Sequence, residues 1–595
     1  MYALSLSSCI DEDKKACIID ETEIAVLDRL TSKSSEPAIV YDTLPNPYSL
    51  NVMQEVYDIY SESEVTLSAT DLYVKFMPKD SIQLQKLISD YQLELFEYPL
   101  DIELIEGVEY VNQNLPSTDL VWLYTTVPAD FMFPDDVAYE IIDQCYIPEE
   151  DEIIGTVTKA GIVSVEDAAF ELLGYDLGAD VSARIMGVPQ GAIKVMDDMN
   201  NFVPVKGVKV RCHIFVKWAT AYTDENGYYL MNKSFLLRPY YSVVFSNLKD
   251  FDVWDNWGPI TCATYNMGRQ SKYGYSENIH RSSSAWVCAA VNNASYDYYK
   301  MCEQTGILKP PSALKIWIWS GFSASSAPML RRINDAIGYN GHSSVANFFI
   351  NVFGYGAAAT FLTQALRIFL PDITIGSDNA DYERIYYKVN HELAHSSHFS
   401  KAGSSFWAKY ISYIMTYGAY GGNDSGRNAQ LCAIGEMWGF FMGYIQVSEI
   451  FNRYLGIPLN VDGWIYPNVF WDLCTTDVLS KKQIFDCLKP DVDTYDELVT
   501  ELYTLYPEQA VDIYTIFRKY PQINLTVTPP EVNGVMYDAF CYNQDVISSM
   551  SVSGDNVLVQ NSTVRECANL TIDANTSITI NKPFVVEKGA SLIIR

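Results

Sequence analysis

The sequence predicts a multidomain α+β protein, and three observations support that prediction. At 595 residues the chain is too long for a single hydrophobic core. It is 48% apolar and 13% aromatic, which is typical of globular rather than disordered chains. The residue pattern also changes along the chain, from mixed strand and helix to alternating β pattern, then to helix, and finally to short β segments.

These changes divide the chain into six segments, and the acidic stretch 148–155 marks one of the linkers. We expect a leader and acidic tether over 1–20, a small α/β domain over 21–150, a linker with a helical segment over 151–185, a β-sandwich over 186–250, a larger and mostly helical domain over 251–530, and a C-terminal domain of short strands over 531–595.

The composition excludes some classes of partner. Lys and Arg number 41 against 74 Asp and Glu, a formal net charge of −33. Such an acidic surface repels phosphate backbones, so we expect no nucleic-acid partner. The longest uncharged run, 337–366, contains Asn, His and Gln side chains that would be costly in lipid. It is therefore predicted to be a buried helical region rather than a membrane span.

The 12 cysteines are scattered singly, without a CxxC pair. This spacing indicates neither a zinc ribbon nor a dense disulfide framework. Cys262, Cys288 and Cys302 are close enough in sequence for one bridge to form.

The amino terminus contains "LSSC", Leu6 to Cys9, followed by "DEDKK" beyond Ile10. The first stretch resembles a bacterial lipobox, and the second resembles the acidic tether of surface lipoproteins. The resemblance implies lipidation of Cys9, and so a cell-surface or outer-membrane location through a lipid anchor, or secretion. Only eight residues precede Cys9 and none is basic, which departs from the pattern and leaves a cytosolic location open.

The segment 21–150 alternates strand and helix patterns. We predict a strand over Asp71–Pro78, an amphipathic helix over Lys79–Tyr91 and a second strand over Leu93–Ile102. The acidic residues are dispersed and the segment has no histidine, so no chemistry is assigned to it.

The next domain carries a recognisable turn. Val208–Val216 alternates like a half-buried strand, and Asn226-Gly227 forms a turn into another strand. The residues Thr223, Asp224, Gly227 and Tyr229 match the "TDxxGxY/F" mark of the carboxypeptidase-regulatory-type β-sandwich, which this stretch resembles. The resemblance implies a non-catalytic spacer, and His213 on the alternating strand is predicted to be structural.

The segment 251–530 is mostly helical in pattern, with predicted strands over Leu314–Gly321 and Arg367–Gly376. Beyond 531, short β segments recur roughly every dozen residues, which suggests a small β-solenoid-like cap. His280 and His342 have no ligand-like spacing and are predicted to be structural.

The chemistry of the sequence lies in "HELAH", His391 to His395. A step of four residues on a helix turns about 400°, so both imidazoles project from nearly the same face, one turn apart. That separation lets both reach one Zn²⁺. Glu392 lies about 100° round, beside the metal, where it can take a proton from a water.

The sequence before this five-residue motif supports its interpretation as a metal site. The stretch 380–390 extends the helix upstream, and Pro371–Gly376 before it is a plausible edge strand. A strand followed by such a helix resembles the zincin metallopeptidases. The resemblance implies a zinc cofactor and a protein or peptide substrate that pairs with the edge strand.

The third ligand of such a site does not follow a common spacing. The metzincin pattern fails, because His398 stands at its glycine position and Lys401 at its last-ligand position. A glutamate about 20 residues after the second histidine is also absent, since Ile414 and its neighbour stand there. The remaining candidates are Glu436 and, in reserve, Asp424 in the turn-like "GGNDSG".

Glu436 is the only charged residue in the apolar stretch Leu431–Val447. A lone carboxylate on an apolar helix is costly to bury unless a cation meets it, and zinc is such a cation. Gly435 and Gly439 would let this helix approach the first closely. The set His391, His395 and Glu436 therefore resembles a gluzincin-type site, although a buried Arg or Lys partner for Glu436 remains the alternative.

Residues beyond the motif could stabilise a reaction. His398 is one turn after His395, and three roles are open to it. It could donate a hydrogen bond to a metal ligand, stabilise the transition state or, most commonly for such a position, be a surface residue at a helix end. Zincins often use a Tyr to stabilise the oxyanion. Four tyrosines follow: Tyr410, Tyr413, Tyr417 and Tyr420. Their spacing does not single out one of them, and Tyr417 is taken as the candidate.

The leading interpretation is a zinc-dependent metallopeptidase, secreted or held at the cell surface by a lipid, with Glu392 as general base. The first alternative is a surface-anchored binding or adhesion lipoprotein with a catalytically inactive zincin-like domain. The second is a carbohydrate-active enzyme, for which the sequence offers no defensible carboxylate pair.

Overall fold

The computed structural model describes residues 43–61, 63–79, 81–103, 122–149, 164–175, 186–255, 261–321, 323–333, 371–417, 424–453, 456–532 and 534–595. The chain divides into two compact units. Unit 1 comprises 1–297, 312–331 and 340–389, and unit 2 comprises 298–311, 332–339 and 390–595. Both helices and several sheets are present, so the α+β class is confirmed at that coarse level. The predictions for Cys9, His342, Tyr420 and 337–366 lie outside the described residues.

Eleven α-helices are described, and their bounds fix the labels used below. In chain order they are α1 (Leu50–Tyr60), α2 (Ser81–Ser89), α3 (Val165–Leu172), α4 (Ala285–Thr305), α5 (Leu330–Ile333), α6 (Tyr382–Tyr417), α7 (Ala429–Ile450), α8 (Asn468–Thr475), α9 (Lys481–Asp486), α10 (Tyr495–Leu505) and α11 (Ala510–Arg518). None of these described helices combines the length and apolarity needed to cross a bilayer.

A three-stranded antiparallel sheet forms the first part of unit 1. Its strands, in the order β2-β1-β3, are β1 (Asp71–Met77), β2 (Leu123–Pro128) and β3 (Ala138–Cys145). Phe76 from the sheet packs with Leu84 and Leu87 of α2 in one apolar core. The strand predicted over Leu93–Ile102 is wrong: only isolated bridges form at Phe96 and Ile102, and Pro99 between them has no amide hydrogen for a ladder.

Two further sheets complete unit 1. Their strands are β4 (Gln190–Met196), β5 (Phe202–Pro204), β6 (Val208–Ile214), β7 (Lys217–Tyr222), β8 (Tyr228–Leu230), β9 (Tyr240–Asn247), β10 (Phe251–Asp255), β11 (Thr264–Arg269), β12 (Glu277–Ile279), β13 (Leu314–Trp319) and β14 (Ile373–Gly376). One sheet has the order β12-β4-β5, with β8 also paired to β4. The larger has the order β14-β13-β10-β9-β6-β7, with β11 also paired to β9.

The larger sheet continues across position 250, where the sequence pattern suggested a domain boundary. β9 and β10 pair antiparallel, with Asn247 opposite Phe251. Asp250 adopts a φ of 68° in the tight turn between them. β10 then pairs in parallel with β13, and β13 with β14. The strands expected in the sandwich and the strands expected in the helical domain therefore belong to one sheet.

The "TDxxGxY" turn has a structural explanation. The Asp224 carboxylate accepts hydrogen bonds from the backbone N–H groups of Asn226 (2.8 Å) and Tyr228 (2.9 Å). Gly227 has a φ of 75°, and a Cβ there would lie 2.5 Å from the Ile193 carbonyl oxygen. Tyr229 is buried. Asp224 and Gly227 thus close the turn, and Tyr229 packs into the core.

His213 on β6 is enclosed by aromatic rings of unit 1. Its Nε2 lies 3.2 Å from the Tyr98 hydroxyl, and its ring stacks on Tyr240 at 5.2 Å. Burial lowers the pKa of this imidazole to about 3, and Arg211 contributes in the same direction. These contacts are those of a neutral structural residue.

Unit 2 joins the helices from Asn390 onward to short strands at the C-terminus. The strands are β15 (Glu531–Val532), β16 (Val535–Met536), β17 (Ala539–Tyr542), β18 (Asp545–Val546), β19 (Ser549–Gln560), β20 (Ser562–Val564), β21 (Asn569–Ile580), β22 (Phe584–Val586) and β23 (Ser591–Ile594). They form the parallel sheets β17-β19-β21-β23 and β18-β20-β22, and β15 pairs with β16. The side chains between the two parallel sheets form a small apolar core of their own.

The C-terminal strands pack against the helices of unit 2. Tyr514 of α11 meets Phe540 of β17 edge to face, with ring centroids 5.4 Å apart. Capping boxes at Ser480 and Thr494 start α9 and α10. All ten cysteines in the described part of the chain are free thiols, including Cys262, Cys288 and Cys302.

Candidate metal centre

Helix α6 carries the two histidines on one buried face. The Asp198 carboxylate accepts from the backbone N–H groups of Tyr382 and Glu383, both at 2.9 Å, so two of the orphan donors of the first turn are satisfied. From that start the helix runs through His391 and His395, whose side chains are almost completely buried. Their four-residue spacing places them one turn apart, as predicted from the sequence.

Helix α7 supplies the carboxylate. It is apolar and buried along nearly all its length, and Glu436 is 0% exposed. The Trp438 indole N–H donates to the Ala394 carbonyl oxygen at 3.1 Å, which ties α7 to the histidine turn of α6. Glu436 faces the two imidazoles from α7, and one of its oxygens lies 3.4 Å from the Nε2 of each.

The potential ligand atoms of the three side chains lie close together, and one atom from each residue lies within 4.8 Å of the other two. His391 Nε2 lies 3.0 Å from His395 Nε2. Each also lies 3.4 Å from one oxygen of Glu436, His391 from Oε2 and His395 from Oε1. In a tetrahedral zinc site with ligand distances near 2.0–2.1 Å, neighbouring ligand atoms are ~3.3 Å apart. The donors are therefore spaced to surround one divalent ion.

Glycine at position 439 is required for this approach. A Cβ on Gly439 would lie 2.8 Å from Cε1 and Nε2 of His395 and 3.0 Å from Nε2 of His391. A Cβ on Gly435 would lie 3.1 Å from the ring of Tyr410. The predicted role of both glycines, close approach of the two helices, agrees with these distances.

The electrostatics favour the metal-binding forms of His391 and Glu436. Burial lowers the pKa of the His391 imidazole below its usual range, although the hydrogen bond to Glu436 acts in the opposite direction. Burial acts to raise the pKa of the Glu436 carboxyl, but the facing imidazoles of His395 and His391 hold it below its usual range. A neutral imidazole and an ionised carboxylate are the forms that a metal requires.

These residues form the one group of three or more buried His, Cys, Asp or Glu side chains in the described part of the chain that could hold a metal ion. Two imidazoles and one carboxylate with a fourth tetrahedral position left over are the donor set of one class of catalytic zinc sites. No protein-family model matches the sequence, and no curated protein is significantly similar to it.

Of the other predicted residues, some lie close to the group of His391, His395 and Glu436 and others do not. Glu392 is buried, 2% exposed, on α6 between the two histidines. Asp424, the reserve ligand, is exposed in a turn and is not part of the group. The Tyr417 hydroxyl accepts a long hydrogen bond from the backbone N–H of Arg427 at 3.4 Å. The hydroxyl that contacts Glu436 belongs to Tyr410 instead.

His398 is fully buried, so the expectation of a surface residue at a helix end is wrong. Its ring lies 4.8 Å from that of Phe406 and 5.8 Å from that of Trp407. Neither ring nitrogen has a hydrogen-bond partner among the described residues. Burial lowers the pKa of His398 to about 3, with smaller contributions from His395 and Lys401. The imidazole is neutral and lies outside the metal-binding group.

A break inside α6 explains the burial of His398 and the position of Tyr410. Gly403 has a φ of 80° and a ψ of 175°, which interrupts the helix. After the break the chain returns to the histidine face, where Trp407 lies 5.9 Å from the ring of His395 and stacks on Tyr410 at 4.7 Å. Sequence reasoning missed this arrangement. Gly403 inside a helical pattern was the available signal.

Proposed function

We propose that this chain is a zinc-dependent metallopeptidase that hydrolyses peptide bonds of proteins or glycoproteins. The observation that supports the proposal is the buried group of His391, His395 and Glu436, in which the two Nε2 atoms lie 3.0 Å apart and each lies 3.4 Å from a different oxygen of the carboxylate. When bound there, zinc would supply Lewis acidity, which activates a water and polarises a carbonyl group.

Glu392 is the group of this chain that would move the proton. It follows His391 directly on α6, about 100° round the helix, and its burial keeps its carboxylate out of bulk solvent. A carboxylate beside the metal can accept a proton from the attacking water and pass it to the leaving amine. The two histidines and Glu436 would hold the metal, while Glu392 would accept and pass on the proton.

The amino-terminal features extend the proposal to the location of the protein. A lipid on Cys9 would hold the enzyme at a bacterial cell surface or outer membrane, where protein substrates are accessible. Cys9 lies outside the described residues, and labelling with a radioactive fatty acid, with Cys9→Ala as control, tests this part separately.

The test of the chemistry is Glu392→Gln. The amide keeps the shape of the side chain but cannot accept the proton, so we expect full zinc content with peptide cleavage reduced by about 10²–10⁴-fold. The matched control is Glu383→Gln in the first turn of the same helix, which should cleave like the wild type. Cleavage should be measured on denatured protein and on mixed peptides, alongside zinc by mass spectrometry.

Two results would count against the proposal in different ways. Undiminished cleavage by zinc-loaded Glu392→Gln would remove Glu392 from the mechanism. A wild-type protein that binds zinc fully but cleaves no peptide or protein would instead favour a binding or adhesion protein with an inactive zinc domain.

A further inference from the structure

We infer that Tyr410 is a positioning residue that orients the metal-ligand carboxylate of Glu436. We also infer that the break at Gly403 places Tyr410 next to Glu436. The inference rests on the proposed metal site. Its starting observation is a hydrogen bond: the Tyr410 hydroxyl donates to Glu436 Oε1 inside the protein. Both side chains are buried, with Tyr410 3% and Glu436 0% exposed.

The contact restricts what the carboxylate can do. A carboxylate on a helix can rotate about its terminal bond, so a metal site needs a second group to fix the plane of the oxygens. Tyr410 engages Oε1, and a carboxylate held through one oxygen can offer the other to an ion. Charge-assisted hydrogen bonds of this kind are short and strong, particularly in a site of low dielectric constant.

The packing around Tyr410 fixes its ring. Trp407 stacks on one face with an interplanar angle of 18°. Gly435 lies against the ring edge, since a Cβ there would come within 3.1 Å of Tyr410 Cε2. The stacking on Trp407 and the contact with Gly435 therefore hold the Tyr410 hydroxyl toward Glu436.

The hydrogen bond to Glu436 also argues against a direct catalytic role for Tyr410. A phenol has one O–H, and a proton donated to Glu436 cannot at the same time be donated to an oxyanion. Tyr410 therefore acts through Glu436 and does not touch the reacting atoms. The predicted effect of losing its hydroxyl is on metal affinity, which the oxyanion role would leave unchanged.

The test compares zinc affinities of Tyr410→Phe and wild type by competition with a chelator of known affinity. The variant keeps the stacked ring and removes only the hydroxyl, so we expect zinc binding to weaken by about 10–100-fold. Tyr298→Phe is the matched control, because it removes another buried hydroxyl that donates to α6, at Ser397 (3.0 Å), away from Glu436. Its zinc affinity should equal that of the wild type.

A double-mutant cycle with Glu436→Gln excludes a general structural effect. If Tyr410 acts through Glu436, adding Tyr410→Phe to Glu436→Gln weakens zinc binding no further. Wild-type zinc affinity in Tyr410→Phe, or an equal loss in both backgrounds, would overturn the inference and leave the proposed function standing. If the wild type itself binds no zinc, both fail together.

Discussion

At the scale of single residues, the burial of Glu436 is the feature that organises the site. A carboxylate that is 0% exposed on an apolar helix is stable only with charged or hydrogen-bonding partners, and removing a partner from such a pair costs about 3–5 kcal/mol. The imidazoles of His391 and His395 and the Tyr410 hydroxyl surround it. A divalent ion bound there would complete this set of partners with the opposite charge.

Gly439→Ala tests whether the close approach of α7 is needed for the metal. The new Cβ would stand within 3.0 Å of ring atoms of both histidines, so the imidazoles must move off their positions. We expect zinc affinity to fall by at least about 10-fold and the folded protein to lose about 1–3 kcal/mol of stability, because overpacking outweighs the higher helix propensity of Ala. Chelator competition and circular dichroism measure the two effects.

Gly456→Ala provides the control for that substitution, since a Cβ at Gly456 has nothing within 4 Å. It should leave zinc affinity unchanged. A Gly439→Ala protein with wild-type affinity would mean that the metal does not bind between these imidazoles.

Sequence alone identified much of the site, for physical reasons that differ by residue. His391 and His395 follow from helix periodicity, which is local. Glu436 follows from its isolation in an apolar stretch, since a buried charge demands a partner. Tyr410 could not be chosen over Tyr417, because the choice depends on the direction of the chain after a single backbone conformation at Gly403. The burial of His398 depends on the same break.

At the scale of elements, the break in α6 brings aromatic residues against the candidate metal ligands. The φ of 80° and ψ of 175° at Gly403 fall in a region of backbone space that is essentially restricted to glycine. Continuous helix through this position would carry Trp407 and Tyr410 away from His395 and Glu436. The break is therefore part of the site although it touches no ligand.

Gly403→Ala should destabilise the protein by about 1–3 kcal/mol, the cost of forcing a side chain into that conformation. The added Cβ meets nothing within 4 Å, so the cost is conformational rather than steric. Urea unfolding followed by tryptophan fluorescence measures it, and zinc affinity should fall as Tyr410 loses its position. Gly456→Ala, which has the same open space around the added Cβ, should change neither the free energy of unfolding nor the zinc affinity. If Gly403→Ala also left both unchanged, the break would not depend on glycine.

Strands were predicted well where their pattern was local and poorly where pairing decided the outcome. Asp71–Met77 and Leu314–Trp319 agree with the expected strands within two residues. The stretch Leu93–Ile102 has strand-like composition but forms only isolated bridges. The pairing of β10 with β13 joins residues about 60 positions apart, a contact that no local pattern specifies.

At the scale of the whole molecule, the candidate metal centre belongs to one compact unit. The three candidate ligands, Glu392 and Tyr410 all lie in unit 2, within 390–595. The larger sheet of unit 1 ends at β14, the strand predicted to pair with a substrate peptide, and that role stays a prediction. The net charge of −33 disfavours phosphate-bearing partners, and a protein or peptide substrate stays a prediction.

The most direct test of the central claim is anomalous X-ray diffraction at the zinc absorption edge from crystals of the zinc-loaded protein. We expect one peak inside unit 2, about 2.0–2.1 Å from Nε2 of His391 and of His395 and at a similar distance from a carboxylate oxygen of Glu436. A peak at other residues, or a peak on the two histidines with the Glu436 carboxylate turned away from it, would contradict the account.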